Sequence, residues 1–401
     1  MTSARHRGTW TAEDRARTLY RYLPVDMPAH ANGLRVRLSY DRAAGVLDLG
    51  CEAPLAFRGW SGGAREEFII TRDAATPGYL AGELEAGTWH VVLGLHRIPP
   101  GGLEYEVTTQ VYAGPAAAVQ PQPERVDPPR PQRPRPRELP SDEGLVWRAG
   151  DFHTHTVHSD GSLTVMELAC LGAERGLDFL AVTDHNTISH HCELVPAGYH
   201  AGIQLIAGQE VTTGFGHANA FGEIGWVDFR QPATIWLDAV EADGGLLSVN
   251  HPIDADCAWR HEMPRRAPLA EVWHSSWLDR RWGGPLAWWR AWDQNVVPIG
   301  GSDWHHHPDG QPGSPTTWVA CKGDDVLGGV SAGRVAISAD RDGPLLLRLG
   351  DELVALDAEG ALLTGPDSRR RMVHGDRAAF PAEPGPHWLE DDQTAVLAIS
   401  G

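Results

Sequence analysis

The chain has 401 residues, with 53 acidic and 34 basic side chains, which gives a formal net charge of −19. Apolar residues at 42% and charged residues at 22% are typical of a globular soluble protein and exclude long disorder over most of the chain. The acidic surplus argues against a broad surface for long nucleic acid, which needs clustered Lys and Arg, but it does not exclude a short nucleotide.

The cysteines and the apolar runs indicate a compartment. The five cysteines are odd in number and contain no CxxC pair, so we expect free thiols rather than a disulfide framework or a thiolate zinc site. The basic N-terminus has no apolar segment behind it, and no apolar run reaches the ~18 residues that span a bilayer. We therefore expect a cytoplasmic protein with no membrane partner.

Residues 1–114 have the pattern of a small antiparallel β-sandwich. Apolar and polar residues alternate over 34–38 and 104–107, and 89–95 is a longer apolar strand. Gly and Pro pairs separate these segments, and no helical period of useful length is present.

Residues 115–144 are rich in Pro and Arg and predict an extended linker. Nine prolines lie between Pro115 and Pro140. Proline lacks a backbone donor and disfavours helix at the residue before it, which makes such a run semi-rigid. The same composition also suits a ligand for an aromatic groove, which is the alternative interpretation.

Residues 145–340 alternate between strands and helices. Thr164 and Glu167 form a capping box that predicts a helix to Arg175. Further segments follow in order: strands at 177–182, 203–207 and 218–221, a helix at 235–242, a strand at 246–249, a helix at 286–295 and a strand at 296–299. Repeated β-then-α units predict parallel strands with crossover helices, in an open doubly wound sheet or a closed barrel.

Residues 341–401 contain three further strand patterns, at 345–349, 353–356 and 395–399. They are compatible with a separate β-element or with completion of the N-terminal sandwich, and the sequence does not distinguish the two.

Fourteen of the 20 histidines lie between His153 and His307, and most of them follow predicted strands. The clusters are DFHTH at 151–155, SDG at 159–161, TDHN at 183–186, GQE at 208–210, GHAN at 216–219, NHP at 250–252 and GGSDWH at 300–305. In an α/β barrel the carboxyl ends of the strands converge on one face, so such clusters meet in space. Side chains at i and i+2 of a strand share a side, so His153 and His155 can hold one ion. Imidazole and carboxylate ligands suit Zn²⁺, Mn²⁺ or Fe²⁺.

These motifs resemble, in order, the signature of the PHP (polymerase and histidinol phosphatase) superfamily of metal-dependent phosphoesterases: HTHTVHSDGS, VTDHN, GQE, GHANAFG, VNHP and GSDWH. The resemblance covers about 146–340 and implies a distorted (β/α)₇ barrel with two or three divalent ions. The N-terminal segments LDLG, FRGWSGG and TPGYLAGEL are also similar to CehA/McbA-type metallohydrolases.

The resemblance implies nine metal ligands on three ions: His153, His155, Glu210 and Asp303 on the first, Glu210 with His217 and His251 on the second, and Asp160, His185 and His305 on the third. The expected reaction is hydrolysis by a hydroxide that bridges two ions. If the third ion is absent, Asp160 or His305 is the expected acid–base group.

Four further groups near these motifs have weaker predicted roles. Asp184 could orient an imidazole or cap its strand, and Arg260 could bind a phosphate. Five histidines that no motif requires are expected mostly at the surface or facing substrate: His158, His190, His191, His306 and His307. Among the tryptophans at 273, 277 and 282, one is expected to form an aromatic wall for a nucleobase or an aryl group.

Three functions follow. The first is a phosphoesterase for a small phosphorylated metabolite or nucleotide, including 5′-end trimming of the exonuclease type. The second is an ester or carbamate hydrolase of the carbaryl-hydrolase type. The third is a non-catalytic binding module, against which the full set of nine ligands argues.

Overall fold

A computed structural model describes residues 2–113, 126–293, 295–308 and 310–401. The described chain divides into two compact units. The first unit comprises residues 2–113 and 126–127 together with two short later segments, 157–160 and 184–190. The second unit comprises residues 128–156 and 161–183 and the described residues from 191 to 401.

The first unit contains two four-stranded antiparallel sheets, in the strand orders β1-β8-β3-β6 and β2-β7-β4-β5. Its elements are β1 (Thr2–Trp10), α1 (Ala12–Arg17), β2 (Tyr20–Met27), β3 (Gly33–Tyr40), β4 (Val46–Glu52), β5 (Phe57–Trp60), β6 (Glu67–Thr71), β7 (Gly87–Arg97) and β8 (Leu103–Tyr112). Side chains of both sheets, among them Leu34 and Trp89, form one buried core.

The predicted strands at 34–38, 89–95 and 104–107 lie in β3, β7 and β8. In β3, Leu34 and Val36 point into the core while Arg35 between them pairs with Glu67 on the neighbouring strand. This alternation is the period-2 pattern on which the prediction rests. Helix α1 has no counterpart in the prediction, although Thr11 and Asp14 form a capping box at its start.

The predicted linker is only partly described. Residues 115–125 lie outside the described residues, and 126–142 contain neither helix nor strand. From Pro128 onward this segment belongs to the second unit. Arg133 donates hydrogen bonds to the carbonyls of Leu177 and Gly202, so its guanidinium fixes the extended chain to that unit.

The second unit is built on one long mixed sheet in the order β15-β14-β13-β12-β11-β10-β9-β16-β17-β24-β23-β20-β21, with a separate sheet β18-β19-β22. Its strands are β9 (Val146–Thr154), β10 (Phe179–Val182), β11 (Gln204–Thr213), β12 (Gly216–Phe221), β13 (Leu246–Val249), β14 (Leu269–His274), β15 (Val297–Gly301), β16 (Thr316–Cys321), β17 (Val335–Ser338), β18 (Leu345–Leu349), β19 (Glu352–Leu356), β20 (Leu362–Thr364), β21 (Arg370–Met372), β22 (Arg377–Pro381), β23 (His387–Glu390) and β24 (Val396–Ser400). Its helices are α2 (Val165–Glu174), α3 (His191–Ala201), α4 (Ala233–Ala242), α5 (Gly284–Trp292) and α6 (Val326–Ser331).

Strand direction differs from the predicted parallel arrangement at β12 and at β16, which is antiparallel to β9 and to β17. Strands β9, β10 and β11 are mutually parallel, as are β13, β14 and β15. Strand β12 is antiparallel to both of its neighbours because only residues 214 and 215 separate it from β11. A two-residue connection permits a hairpin, whereas a parallel crossover needs a dozen or more residues. An isolated parallel bridge also joins Thr154, at the end of β9, to Trp304, just after β15.

The three predicted helices, α2, α4 and α5, occur close to their predicted places, whereas α3 and α6 have no counterpart in the prediction. Helix α2 starts after Thr164, whose hydroxyl accepts from the Glu167 N–H while the Glu167 carboxylate accepts from the Thr164 N–H. Helices α4 and α5 begin two residues before their predicted starts, and α5 ends three residues early.

The C-terminal strands belong to the second unit. Strand β24 pairs with β17 and β23 in the long sheet, and β18 and β19 form their own sheet with β22. The predicted strands at 345–349, 353–356 and 395–399 correspond to β18, β19 and β24, which do not pair with the first unit's sheets. No helix in the described part of the chain is long and apolar enough to cross a membrane.

Candidate metal centre

Eight side chains at strand ends of the second unit converge on one buried cluster, which we call the imidazole–carboxylate cluster. Its members are His153, His155, Glu210, His217, His251, Glu271, His274 and Asp303. Six of them are predicted ligands. Glu271 and His274, at the end of β14, are additions that the sequence motifs did not provide.

Glu210 is the centre of the cluster. It is fully buried on β11, and its carboxylate lies 3.2 Å from Nε2 of His153, 3.1 Å from Nδ1 of His217 and 3.3 Å from Nε2 of His251. Asn250 donates from Nδ2 to the same carboxylate at 3.0 Å. This carboxylate therefore contacts imidazoles from three different strand ends.

Asp303 connects a second set of imidazoles. Its Oδ1 is 3.1 Å from Nε2 of His153 and 2.9 Å from Nε2 of His155, and its Oδ2 is 3.3 Å from Nε2 of His274. Asp303 has a backbone φ of 51°, in the left-handed region that non-glycine residues seldom occupy. Residues held in that region concentrate at functional sites, where the surrounding structure fixes them.

Glu271 orients its neighbours. Its Oε1 is 3.0 Å from Nδ1 of His153, and its Oε2 accepts the backbone N–H of His251 at 2.9 Å. The contact at Nδ1 leaves Nε2 of His153 turned toward Glu210 and Asp303. A carboxylate that fixes the far nitrogen of a ligating histidine is the usual arrangement behind metal-binding imidazoles.

Steric contacts explain why the first residue of the GSD motif, Gly301, is a glycine. A Cβ on Gly301 would lie 1.9 Å from Oε1 of Glu271 and 2.5 Å from Cβ of His153. Only a residue without a side chain allows Glu271 and His153 to meet there.

Burial and the attraction between opposite charges have opposing effects on the pKa values in the cluster. Burial alone raises the pKa of Asp303 and of Glu271, but the nearby imidazoles, His153 foremost, outweigh burial and hold both pKa values below their ordinary range. Burial alone lowers the pKa of His153, yet the carboxylates of Asp303, Glu210 and Glu271 raise it well above its ordinary value. Without a cation, the cluster thus stabilises ionised carboxylates by protonating histidine.

One buried imidazole nitrogen of the cluster has no hydrogen-bond partner, namely Nδ1 of His251. Nε2 of His153 and Nε2 of His274 meet only carboxylate oxygens, at ion-pair distances. Buried polar atoms are rarely left without a partner, and such exceptions point to an ion or a functional role. Imidazole nitrogens and carboxylate oxygens without thiolates are the ligand set of Zn²⁺, Mn²⁺ or Fe²⁺, so the residues present fit divalent ions.

The other three predicted ligands lie as follows. Asp160 and His185 belong to the first unit, where Oδ1 of Asp160 is 3.6 Å from Nε2 of His185. His305 belongs to the second unit, where its ring stacks on His155 with a centroid distance of 4.1 Å. Nδ1 of His305 is 2.7 Å from the carbonyl oxygen of Asp303, so it donates to that oxygen.

Contacts within the first unit hold the two segments that carry Asp160 and His185. The Arg65 guanidinium donates to the carbonyl of Ser159 at 2.8 Å and to that of Val157. Gly78 donates its N–H to Oγ of Ser189 at 3.0 Å and accepts from the hydroxyl of Thr187 at 3.0 Å. Side chain and backbone of the two-sheet region thus fix both of these segments.

Asp184 and two histidines form a buried network in the first unit. Asp184 accepts from both the N–H and the hydroxyl of Ser159 and lies 3.2 Å from Nδ1 of His190. Nδ1 of His158 is 2.7 Å from Oγ of Ser189. His158 and His190 are buried in this network and not at the surface, whereas His306 and His307 are exposed as expected. A substrate-facing role for any of the five histidines stays a prediction. The predicted role of Asp184, orienting the imidazole of a metal ligand, stays a prediction.

Arg260, the predicted phosphate ligand, donates to the carbonyl oxygens of Gly214 and Asp256 at 2.6 and 2.7 Å. Its role toward a substrate stays a prediction. Of the three candidate tryptophans, Trp277 and Trp282 line a cavity beside the cluster, whereas Trp273 is buried against Trp277.

Part of the second unit is similar to known proteins. Residues 151–250 match the model of the PHP domain, which supports the PHP resemblance over those residues and a hydrolytic enzyme. Over 63 residues, 16% of this chain, the sequence is 40% identical to a 5′-3′ exoribonuclease of Haemophilus influenzae. The matched part spans 23% of that relative's length.

Two solved structures are also similar. A two-domain protein from Bacteroides vulgatus that contains a predicted PHP-like metal-dependent phosphoesterase is 18% identical, with a TM-score of 0.42, over 67% of this chain and 91% of that one. An amidohydrolase from Chromobacterium violaceum with bound sulfate is 17% identical, with a TM-score of 0.32, over 48% of this chain and 98% of that one.

Proposed function

We propose that this protein is a metal-dependent hydrolase whose divalent ions are held by the imidazole–carboxylate cluster. The observation that carries the proposal is the convergence of imidazoles from several strand ends on the carboxylates of Glu210 and Asp303. The proposed ligands are those predicted from the sequence: His153, His155, Glu210 and Asp303 for a first ion, and Glu210, His217 and His251 for a second. A third ion on Asp160, His185 and His305 is proposed from the PHP resemblance.

Divalent ions in such a site lower the pKa of bound water and polarise the oxygen of the bond to be cleaved. The chain's own residues hold the site in shape. Glu271 fixes the ring of His153, and Asn250 fixes the carboxylate of Glu210.

If the third ion is absent, His305 is the proposed proton donor to the leaving group, with Asp160 as the other candidate. Because Nδ1 of His305 donates to the carbonyl of Asp303, Nε2 is the nitrogen that gains and loses the proton. A positioned imidazole with this tautomer can protonate an oxygen as it departs.

The proposed substrate is a small phosphorylated metabolite or nucleotide, and 5′-end trimming is supported by the partial similarity to an exoribonuclease. Ester or carbamate hydrolysis, together with membership of the CehA/McbA subgroup, is the second candidate. The observation that favours this second candidate is a largely apolar cavity beside the cluster, which suits an aryl group.

We also propose that β9–β15 form the distorted barrel and that the two N-terminal sheets form a sandwich. We further propose that the protein acts in the cytoplasm without binding long nucleic acid.

Parallel assays of the purified, metal-analysed protein test this function. p-Nitrophenyl phosphate, a nucleoside bisphosphate and 1-naphthyl methylcarbamate would be compared under the same conditions. We expect turnover of at least one phosphate ester and its loss in Glu210→Gln. Turnover of the carbamate alone would contradict the phosphoesterase proposal, and full activity of Glu210→Gln would contradict the metal assignment.

A further inference from the structure

A cavity of about 290 Å³ opens directly beside the imidazole–carboxylate cluster, within the second unit. His251, Glu271 and His274 line one side of it. A substrate whose reacting bond lies at the cluster could therefore place a neighbouring group in this cavity.

Much of the remaining lining of the cavity is apolar. Ile253, Val272, Trp277, Leu278 and Trp282 all line it. Leu278 is 89% exposed and Trp282 is 76% exposed, which is unusual for side chains of this size. Nε1 of Trp277 donates to the carbonyl of Trp282 at 2.8 Å, so the backbone that presents these exposed side chains is held in place. Clustered exposed apolar groups beside a polar site are typical of ligand contacts.

The charged residues of the cavity lining restrict which substrate groups can bind there. Apart from histidine, the ionisable residues among its described lining are all acidic: Asp254, Glu271 and Asp279. No Lys or Arg is among the described lining residues, although Arg281 binds the carboxylate of Asp279 from outside the lining. A second phosphate or carboxylate on the substrate would find no cationic partner in this wall and would lose its hydration there.

We propose that this cavity binds an uncharged apolar group of the substrate, aryl or branched alkyl, whose ester is hydrolysed at the cluster. This inference rests on the proposed hydrolase function and narrows its substrate class. Hydrolysis of such a phosphomonoester adds one water across the P–O bond: the phosphorus gains the hydroxyl oxygen, and the departing oxygen leaves as the alcohol ROH with the proton. The cavity holds R, so substrates with a second anionic group are disfavoured.

Non-reacting phosphonates separate recognition of R from chemical reactivity. Isothermal titration calorimetry of the metal-loaded protein would compare methylphosphonate, phenylphosphonate and 4-carboxyphenylphosphonate. We expect phenylphosphonate to bind about tenfold or more tightly than methylphosphonate, because its ring is removed from water in the cavity. The added carboxylate is expected to cancel most of that gain.

Exposed residues of the wall provide variants that leave the core unchanged. Leu278→Ala and Trp282→Ala should each lower the ratio of methylphosphonate to phenylphosphonate dissociation constants several-fold, while Leu278→Arg should restore binding of the carboxyphenyl compound. Tyr199→Ala is the matched control, since Tyr199 is 79% exposed on α3 and does not line the cavity.

Each result supports or overturns the inference. Equal affinities of the wild-type protein for the three phosphonates, with hydrolysis of phosphate esters intact, would overturn the cavity assignment and leave the hydrolase proposal standing. An unchanged ratio of methylphosphonate to phenylphosphonate dissociation constants in both Leu278→Ala and Trp282→Ala would also overturn the cavity assignment alone. No phosphonate binding and no ester turnover by metal-loaded protein would overturn the hydrolase proposal, and the inference with it.

Discussion

Replacing Glu271 by glutamine changes one charge behind the cluster and leaves the shape of the side chain. Glu271 makes two contacts, one with Nδ1 of His153 at 3.0 Å and one with the N–H of His251 at 2.9 Å. Both partners donate, and a carboxylate accepts from both. A glutamine offers one acceptor oxygen and one NH₂ group, so one of the two donors in Glu271→Gln must face another donor.

The size of the effect follows from that lost contact. A hydrogen bond to a charged group contributes about 1.5–3 kcal/mol, and a tenfold change in affinity corresponds to about 1.4 kcal/mol. Losing one such contact should therefore weaken metal binding by about 10- to 100-fold, the range typical for partners of metal-binding histidines. The same variant should lower hydrolysis at limiting metal and recover part of it when metal is added.

The assay is competition for metal between the protein and a chromophoric chelator, at fixed pH, with circular dichroism to confirm folding. Glu390→Gln is the control, since Glu390 is a buried strand carboxylate of the same unit that pairs instead with Arg370. If folded Glu271→Gln binds metal as tightly as wild type, the orienting role of Glu271 is refuted.

Three other substitutions have distinct expected results. Gly301→Ala places a methyl group 1.9 Å from Glu271, so we expect loss of bound metal or of soluble protein; normal metal content and stability would contradict the steric argument. Arg65→Ala removes the donor to the carbonyls of Val157 and Ser159, so elemental analysis should find fewer ions per chain, with partial recovery in Arg65→Lys; unchanged ion content in Arg65→Ala would refute this. Burial raises the pKa of Asp48 to about 7, only partly offset by His185, so the stability of the metal-free protein that depends on its protonated form is full below about pH 4 and is lost as pH rises through 7. Asp48→Asn should therefore raise the unfolding free energy by roughly 1–3 kcal/mol at pH 8 and leave it unchanged at pH 4 in urea titrations; equal effects at both pH values would contradict the shift.

Local chemistry made much of the fold predictable. The Thr164 and Glu167 capping box placed helix α2, and the alternation over 34–38 placed β3. The position of strand β12 was predicted correctly, but its direction was not. The reason is that β11 was expected to end at residue 207, whereas it continues to Thr213. With β11 extended, residues 214 and 215 form a hairpin connection, and the antiparallel direction follows.

The residues of the site could be predicted where they belong to a recognisable sequence motif. Six of the proposed ligands came from ordered motifs, but Glu271 and His274 lie in a strand that matched none of them. A glutamate in the otherwise apolar strand LAEVWH is itself a signal, because a buried carboxylate needs a partner. The position of Asp160 and His185 in the first unit depends on contacts such as that of Arg65 with Ser159, which link residues far apart in sequence and leave no local pattern.

The central claim, that the imidazole–carboxylate cluster binds divalent ions through Glu210, is tested most directly by elemental analysis of protein freed of loosely bound metal. Wild-type protein and Glu390→Gln should retain at least two ions per chain, and Glu210→Gln should lose most of them, because its carboxylate contacts three imidazoles. Folded Glu210→Gln with the wild-type metal content would contradict the account.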